Sequence, residues 1–204
     1  EICRPIVIGD ADVIKEGIKV AHVQLKINPI KRLVDADFKH GTIDVLDLNN
    51  IRIDKLEMGK PQAMAGKASV EYIEKAVEMV LKGEIHAIVT APISKEAINM
   101  AGYNYAGHTE LLAHLTGTKD YAMMLTAGSL RVIHVTTHVP FSEVSKLIKK
   151  EKVYRTIKMA YEVMRKLGVK NPRIAVAGLN PHSGEGGLFG REEIDEIIPA
   201  IELA

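Results

Sequence analysis

The chain has 204 residues, 47% of them hydrophobic and 26% charged, and a formal net charge of +1. That length is enough for a real core in one large domain or two small ones, and the composition is that of an ordinary globular protein. Near-neutral, interspersed charge provides no bulk attraction to nucleic acid or to an anionic membrane surface, and the apolar runs are strand-sized, too short for a membrane span.

The chain opens Glu1-Ile2-Cys3-Arg4-Pro5, with no basic segment ahead of an apolar one, so no signal peptide is expected. Cys3 is the single cysteine and cannot form an intrachain disulfide, which favours a reducing, cytoplasmic setting. Residues 5–9 predict a short buried strand, and Asp10 an N-cap for a helix through about Val20. Residues 22–60 carry no strong helical period, and residues 42–48 alternate like a half-buried strand. From Gly66 to Lys82 the residues Val70, Ile73, Val77, Val80 and Leu81 recur at helical spacing, and Gly83 ends that helix. The apolar run 87–92 predicts the next buried strand, with Ser94 capping a helix through Met100. A loop between Gly102 and Gly107 leads into a helix through Leu115. Strands are expected at 121–126 and from Leu130 to His138, then one or two helices over 141–167 ended by Gly168. Another buried strand is expected over 174–179, then a helix from Arg191 to Leu203 with Ile194, Ile197, Ile198 and Ile201 on one face.

Strands separated by helices imply the α/β class, a mostly parallel sheet covered on both faces in α/β/α layers. The expected division is a first α/β domain over residues 1–106 and a second over 107–204. With no initiator methionine and a last segment, Ile201-Glu202-Leu203-Ala204, inside a helical pattern, both domains are expected to be incomplete.

The most informative stretch is Asn180-Pro181-His182-Ser183-Gly184-Glu185-Gly186-Gly187, which follows an apolar run. Ligands bind at the carboxyl ends of strands in open α/β sheets, and His138, just ahead of Pro140, is presented in the same way. Alone, a strand-end histidine is more often a packing or hydrogen-bonding residue; two on one sheet point to a shared metal or substrate site, because neutral imidazole suits divalent transition metals. Two imidazoles leave a further ligand to come from elsewhere. Gly184-Glu185-Gly186-Gly187 is either a phosphate cradle or a flexible turn. No G-x-G-x-x-G follows a strand, so a conventional dinucleotide-binding half is not expected. In Gly107-His108-Thr109-Glu110, His108 or Thr109 caps the next helix or meets an anion there, and both can hold, since an anion favours the same helix end. Lys95 either reaches an anionic substrate or is solvated. His22, His40, His86 and His114 carry no such context, and His134 is expected in the core.

Four stretches, Thr90-Ala91-Pro92-Ile93-Ser94-Lys95, Gly107-His108-Thr109-Glu110, Thr136-Thr137-His138-Val139-Pro140 and Gly178-Leu179-Asn180-Pro181-His182-Ser183-Gly184-Glu185-Gly186-Gly187, occur in the order and approximate spacing of one family. Over nearly its whole length the chain resembles the 4-hydroxythreonine-4-phosphate dehydrogenases, the PdxA family of pyridoxal phosphate biosynthesis. The resemblance implies a fold similar to isocitrate and isopropylmalate dehydrogenases, which also lack the Rossmann glycine fingerprint. It implies oxidation, with decarboxylation, of 4-phosphooxy-L-threonine, using NAD and a divalent metal (zinc, magnesium, cobalt or manganese). By matched position, His138 and His182 would be metal ligands, and His108 and Thr109 would bind substrate. The third metal histidine and most of the NAD site would lie downstream of Ala204, so the chain alone is expected to be inactive, and it offers no assignable catalytic or NAD-binding residue. The family works as a cytoplasmic homodimer with its site between domains and subunits. A second branch oxidises D-threonate or D-erythronate 4-phosphate, and residues 117–125 lie closer to that branch. The alternative from another class is a non-catalytic phosphate-ligand-binding α/β protein, which would bind ligand without reducing NAD.

Overall fold

The computed structural model describes residues 3–204; Glu1 and Ile2, at the head of the stretch read for a signal peptide, lie outside the described residues. The chain falls into two compact units that divide between Thr118 and Lys119.

In the first unit, β1 (Val7–Gly9), β2 (Lys26–Ile30) and β3 (Thr42–Asp47) form a parallel sheet in the order β1-β3-β2. Helix α1 (Ala11–Val20) follows β1 directly, and the Asp10 carboxylate accepts the amides of Asp12 and Val13, the capping expected of it. The chain then passes through β2 to β3, which lies between the other two strands. The half-buried alternation expected over 42–48 is not what forms, because a central strand is covered on both faces. Asp44, Val45 and Leu46 are buried in succession. Asp44 is tolerated there because Asn28 Nδ2 and the amides of Asp37 and Phe38 donate to it at 2.7, 3.1 and 2.8 Å.

Helix α2 (Ala63–Leu81) has two apolar faces. Met79 packs with Ile30 and Leu46 of the sheet. Val70, Ile73 and Val77 pack with Ile98 of α3 (Lys95–Met100) and Leu111 of α4 (His108–Thr116). The helix ends at Gly83, whose φ of +73° is a left-handed position that glycine takes without a Cβ penalty. The strand expected over 87–92 is absent: the segment is irregular, and Val89 is 98% exposed. A short apolar run does not specify a strand unless a neighbouring edge takes its amides and carbonyls, and the three-stranded sheet does not extend to it.

In the second unit, β4 (Met124–Ala127) and β5 (Leu130–Ile133) form an antiparallel hairpin across Gly128-Ser129, with Gly128 at φ +57°. This two-residue connection with glycine first is one that hairpins favour. The strand expected to run on to His138 stops at Ile133, and the apolar run 174–179 forms no strand. Helices α5 (Val144–Leu147) and α6 (Lys150–Lys166) follow, the latter closed by Gly168 at φ +89°. A single π-helical turn, Glu193–Ile197, leads into α7 (Ile198–Leu203). That wider turn shifts the phase of the helix, so of the expected stripe of isoleucines only Ile197 lies on its buried face. Glu193, Ile197 and Ala200 are buried, whereas Ile198 and Ile201 are 47% and 44% exposed. Ile197 and Ala200 pack with Ile148 and Val153 to form this unit's core.

Candidate functional site

The candidate residues belong to both units. His108 and Thr109 are the first two residues of α4 in the first. The expected side-chain cap from either residue is not formed. Gly107 occupies the cap position with an extended backbone, so no side chain covers the first-turn amides. Unpaired N–H groups at a helix start carry partial positive charge and suit an anion. His108 Nε2 and Glu110 Oε2 are buried and have no hydrogen-bond partner. Behind them the fully buried Leu111 anchors α4 on α2. Lys95 is the exposed first residue of α3, where Ser94 Oγ accepts the Ala97 amide at 3.2 Å.

His138 and His182 belong to the second unit. Neither sits at the end of a strand. His138 lies five residues past β5, and both are in left-handed backbone conformations, with φ of +54° and +50°. Each non-glycine residue held there costs on the order of 1–3 kcal/mol, a cost that surrounding contacts must offset. Both imidazoles are exposed, and neither makes a hydrogen bond or ion pair; the His182 ring lies 6.3 Å from that of Phe189. Free imidazole nitrogens at the surface are donors of the kind that divalent cations take. Among the described residues no group of three or more His, Cys, Asp or Glu side chains converges on a metal position. His134, expected in the core, is half-buried, with Nδ1 sealed from solvent and unpartnered.

The glycine-rich loop follows a left-handed path. His182, Ser183, Gly184, Glu185 and Gly186 are all left-handed in succession, and the Phe189 amide donates to Gly184 O at 3.1 Å. The turn is wrapped around Glu193, which is only 4% exposed. Glu193 Oε1 accepts the amides of Leu179 and Asn180, both at 2.7 Å, and Oε2 accepts Asn180 Nδ2 at 2.8 Å. Burial pushes the Glu193 carboxyl up, but these donors outweigh burial and hold it below the ordinary glutamate range. The glycines are required by the close approach. A Cβ on Gly178 would lie 2.9 Å from Ser183 Oγ and 3.3 Å from Glu193 Oε1, and one on Gly184 would lie 2.8 Å from Gly190 O.

A family model described as pyridoxal phosphate biosynthetic protein PdxA matches residues 1–204. The chain belongs to that family. A Clostridium botulinum protein provisionally named D-threonate 4-phosphate dehydrogenase is 51% identical over 204 residues, all of this chain and 61% of the relative. Among solved structures, a 4-hydroxythreonine-4-phosphate dehydrogenase from Burkholderia phymatum is 46% identical with a TM-score of 0.83, over 98% of this chain and 61% of that one. The enzyme of that name from Klebsiella pneumoniae is 40% identical with a TM-score of 0.89, over 97% and 60%. The mixed α/β fold is therefore that of PdxA dehydrogenases, consistent with the isocitrate dehydrogenase-like architecture. The chain spans about three fifths of the length of the curated relatives it matches.

Sequence reasoning singled out His182 but passed over Glu193. Its signal was present as the Glu192-Glu193 pair, which reads as an acidic helix start. Only the folded chain shows that the second of the pair turns inward.

Proposed function

We propose that this PdxA-family chain is part of a dehydrogenase that oxidises a phosphorylated hydroxy acid with NAD and a divalent metal, as a cytoplasmic homodimer. The observation that carries this is the match of the whole chain to the family, with both motif histidines exposed and unpartnered. His138 and His182 would hold the metal, and the uncapped start of α4, with His108 and Thr109, would take up the anionic substrate. When bound, the metal supplies a Lewis acid that lowers the pKa of the substrate hydroxyl. The protein's own part is to present the two imidazoles with their nitrogens unpartnered, and to leave the α4 amides free for substrate oxygens.

Between substrates, the name of the 51% identical relative favours D-threonate 4-phosphate. The solved structures at 46% and 40% identity keep 4-phosphooxy-L-threonine as the second reading. The test is NADH formation by the full-length protein on D-threonate 4-phosphate, D-erythronate 4-phosphate and 4-phosphooxy-L-threonine, with and without divalent metal. Metal-dependent turnover of the first, lost in His182→Ala, is the expected result. Turnover that survives His182→Ala removes the metal role, and phosphate-ligand binding with no NADH from any substrate leaves a binding protein instead.

A further inference from the structure

The left-handed stretch that carries His182 cannot hold itself. Five consecutive residues from His182 to Gly186 sit in left-handed space, three of them with side chains, and the internal bonds of the turn are few. The Asn180 amide, two residues before His182, and the Leu179 amide next to it both donate to a single buried oxygen, Glu193 Oε1. The side chain of Asn180 is held by Glu193 Oε2 and by Glu192 Oε2 at 2.7 Å. On the far side of the turn, Gly184 is itself buried, and a Cβ there would come within 3.0 Å of Glu193 Oε2. One carboxylate therefore grips the chain entering the turn and sets how closely the chain leaving it can pack. Glu193 is placed for this by the π-helical turn that it opens, an irregularity that is rare in helices and concentrated at functional sites.

We infer that Glu193 is a positioning residue for His182, fixing the backbone of the Asn180–Gly186 turn so that the imidazole is presented in one place as a metal ligand. The role depends on His182 being a ligand, as proposed above. Partners that orient a ligand without touching the metal change metal affinity by about 10–100-fold when they are removed.

The test is a calorimetric titration of the metal-free full-length protein with Mn2+ alone, together with a thermal melt of each variant. Glu193→Gln keeps the size but loses the charge and one acceptor, and it is expected to weaken Mn2+ binding at least tenfold at a temperature where the protein remains folded. Glu193→Asp, a shorter carboxylate, is expected to fall between Glu193→Gln and the parent. Glu196→Gln serves as the structural control. Glu196 lies in the same π turn and accepts Lys149 Nζ and the Lys150 amide at 2.8 and 2.7 Å, so its loss should lower the melting temperature and leave Mn2+ affinity unchanged. If His182→Ala leaves Mn2+ binding intact, the ligand role fails and the positioning role with it. If His182→Ala abolishes binding while Glu193→Gln and Glu193→Asp stay within twofold of the parent, the positioning role alone is overturned. Should Glu193→Gln not fold, the comparison rests on Glu193→Asp against Glu196→Gln: equal affinities overturn the inference.

Discussion

Gly66 sits in α2 where that helix presses on the backbone of α3, and Gly66→Ala separates two opposing effects. In an exposed helix interior, alanine in place of glycine is worth about 1 kcal/mol of stability. At Gly66 the added Cβ would lie 2.0 Å from Ala97 O, 2.2 Å from Ala97 C and 2.7 Å from Ile98 N. Against the 3.4 Å of ordinary contact this is a shortfall of about 1.4 Å to the nearest atom, and that atom is backbone. No side chain can swing aside, so the two helices must part. Overpacking of this kind costs about 1–3 kcal/mol and occasionally more. A gap of even 0.5–1 Å also forfeits roughly a quarter to a half of each dispersion contact across it. Val70 and Ile98, both 0% exposed, lie in that seam. The net expectation is a loss of about 2 kcal/mol despite the gain in helix propensity. Gly17 in α1 is the comparator, since nothing lies within 4 Å of its Cβ position. Gly17→Ala should therefore stabilise by roughly 0.5–1 kcal/mol. Urea unfolding followed by far-ultraviolet circular dichroism measures both. If Gly66→Ala proves as stabilising as Gly17→Ala, the close α2–α3 approach is refuted, and with it the seating of α3 that carries Ser94 and Lys95.

Leu111→Ala empties a fully buried position directly behind His108 and Thr109 and should cost about 2–5 kcal/mol in the same unfolding assay; a loss below 1 kcal/mol would mean that α4 is not anchored through it. Asp44→Ala leaves two backbone amides and Asn28 Nδ2 without their acceptor, at a cost of about 2–4 kcal/mol. Burial pushes the Asp44 carboxyl up, but Asn28 and the amides of Asp37 and Phe38 outweigh it, so its folded pKa is below the ordinary aspartate value. A depressed carboxyl adds stability that is fully present above the unfolded pKa and is lost as pH falls through the folded one. Unfolding free energy measured against pH should accordingly fall less steeply on the acid side in Asp44→Asn than in the parent, and identical slopes would remove Asp44 from that dependence. Glu78 is held at about 2 by hydrogen bonds from Lys82 and Lys75, yet as an exposed group on a screened surface its replacement in Glu78→Gln should leave stability essentially unchanged. A clear loss in a salt titration would contradict that.

By itself the sequence determined those features whose causes lie within a few residues of one another. Asp10 caps α1 through amides two and three residues away. The spacing of Val70, Ile73 and Val77 makes α2, and Gly83 and Gly168 end helices by taking left-handed φ. The four motif stretches were enough to point to the family. What only the tertiary structure decided depends on partners far along the chain. The runs at 87–92 and 174–179 are apolar enough for strands, but a strand also needs an adjacent edge, and none pairs with them. Nothing within a few residues marks the carboxylates of Asp44 and Glu193 for the interior, yet both are buried, because amides supplied by other segments replace the water they lose. The face of the last helix was misplaced because one π turn shifts its phase. A helical period can be read from residue types, whereas the position at which it slips goes with Glu193 turning in to meet Leu179 and Asn180, fourteen and thirteen residues before it.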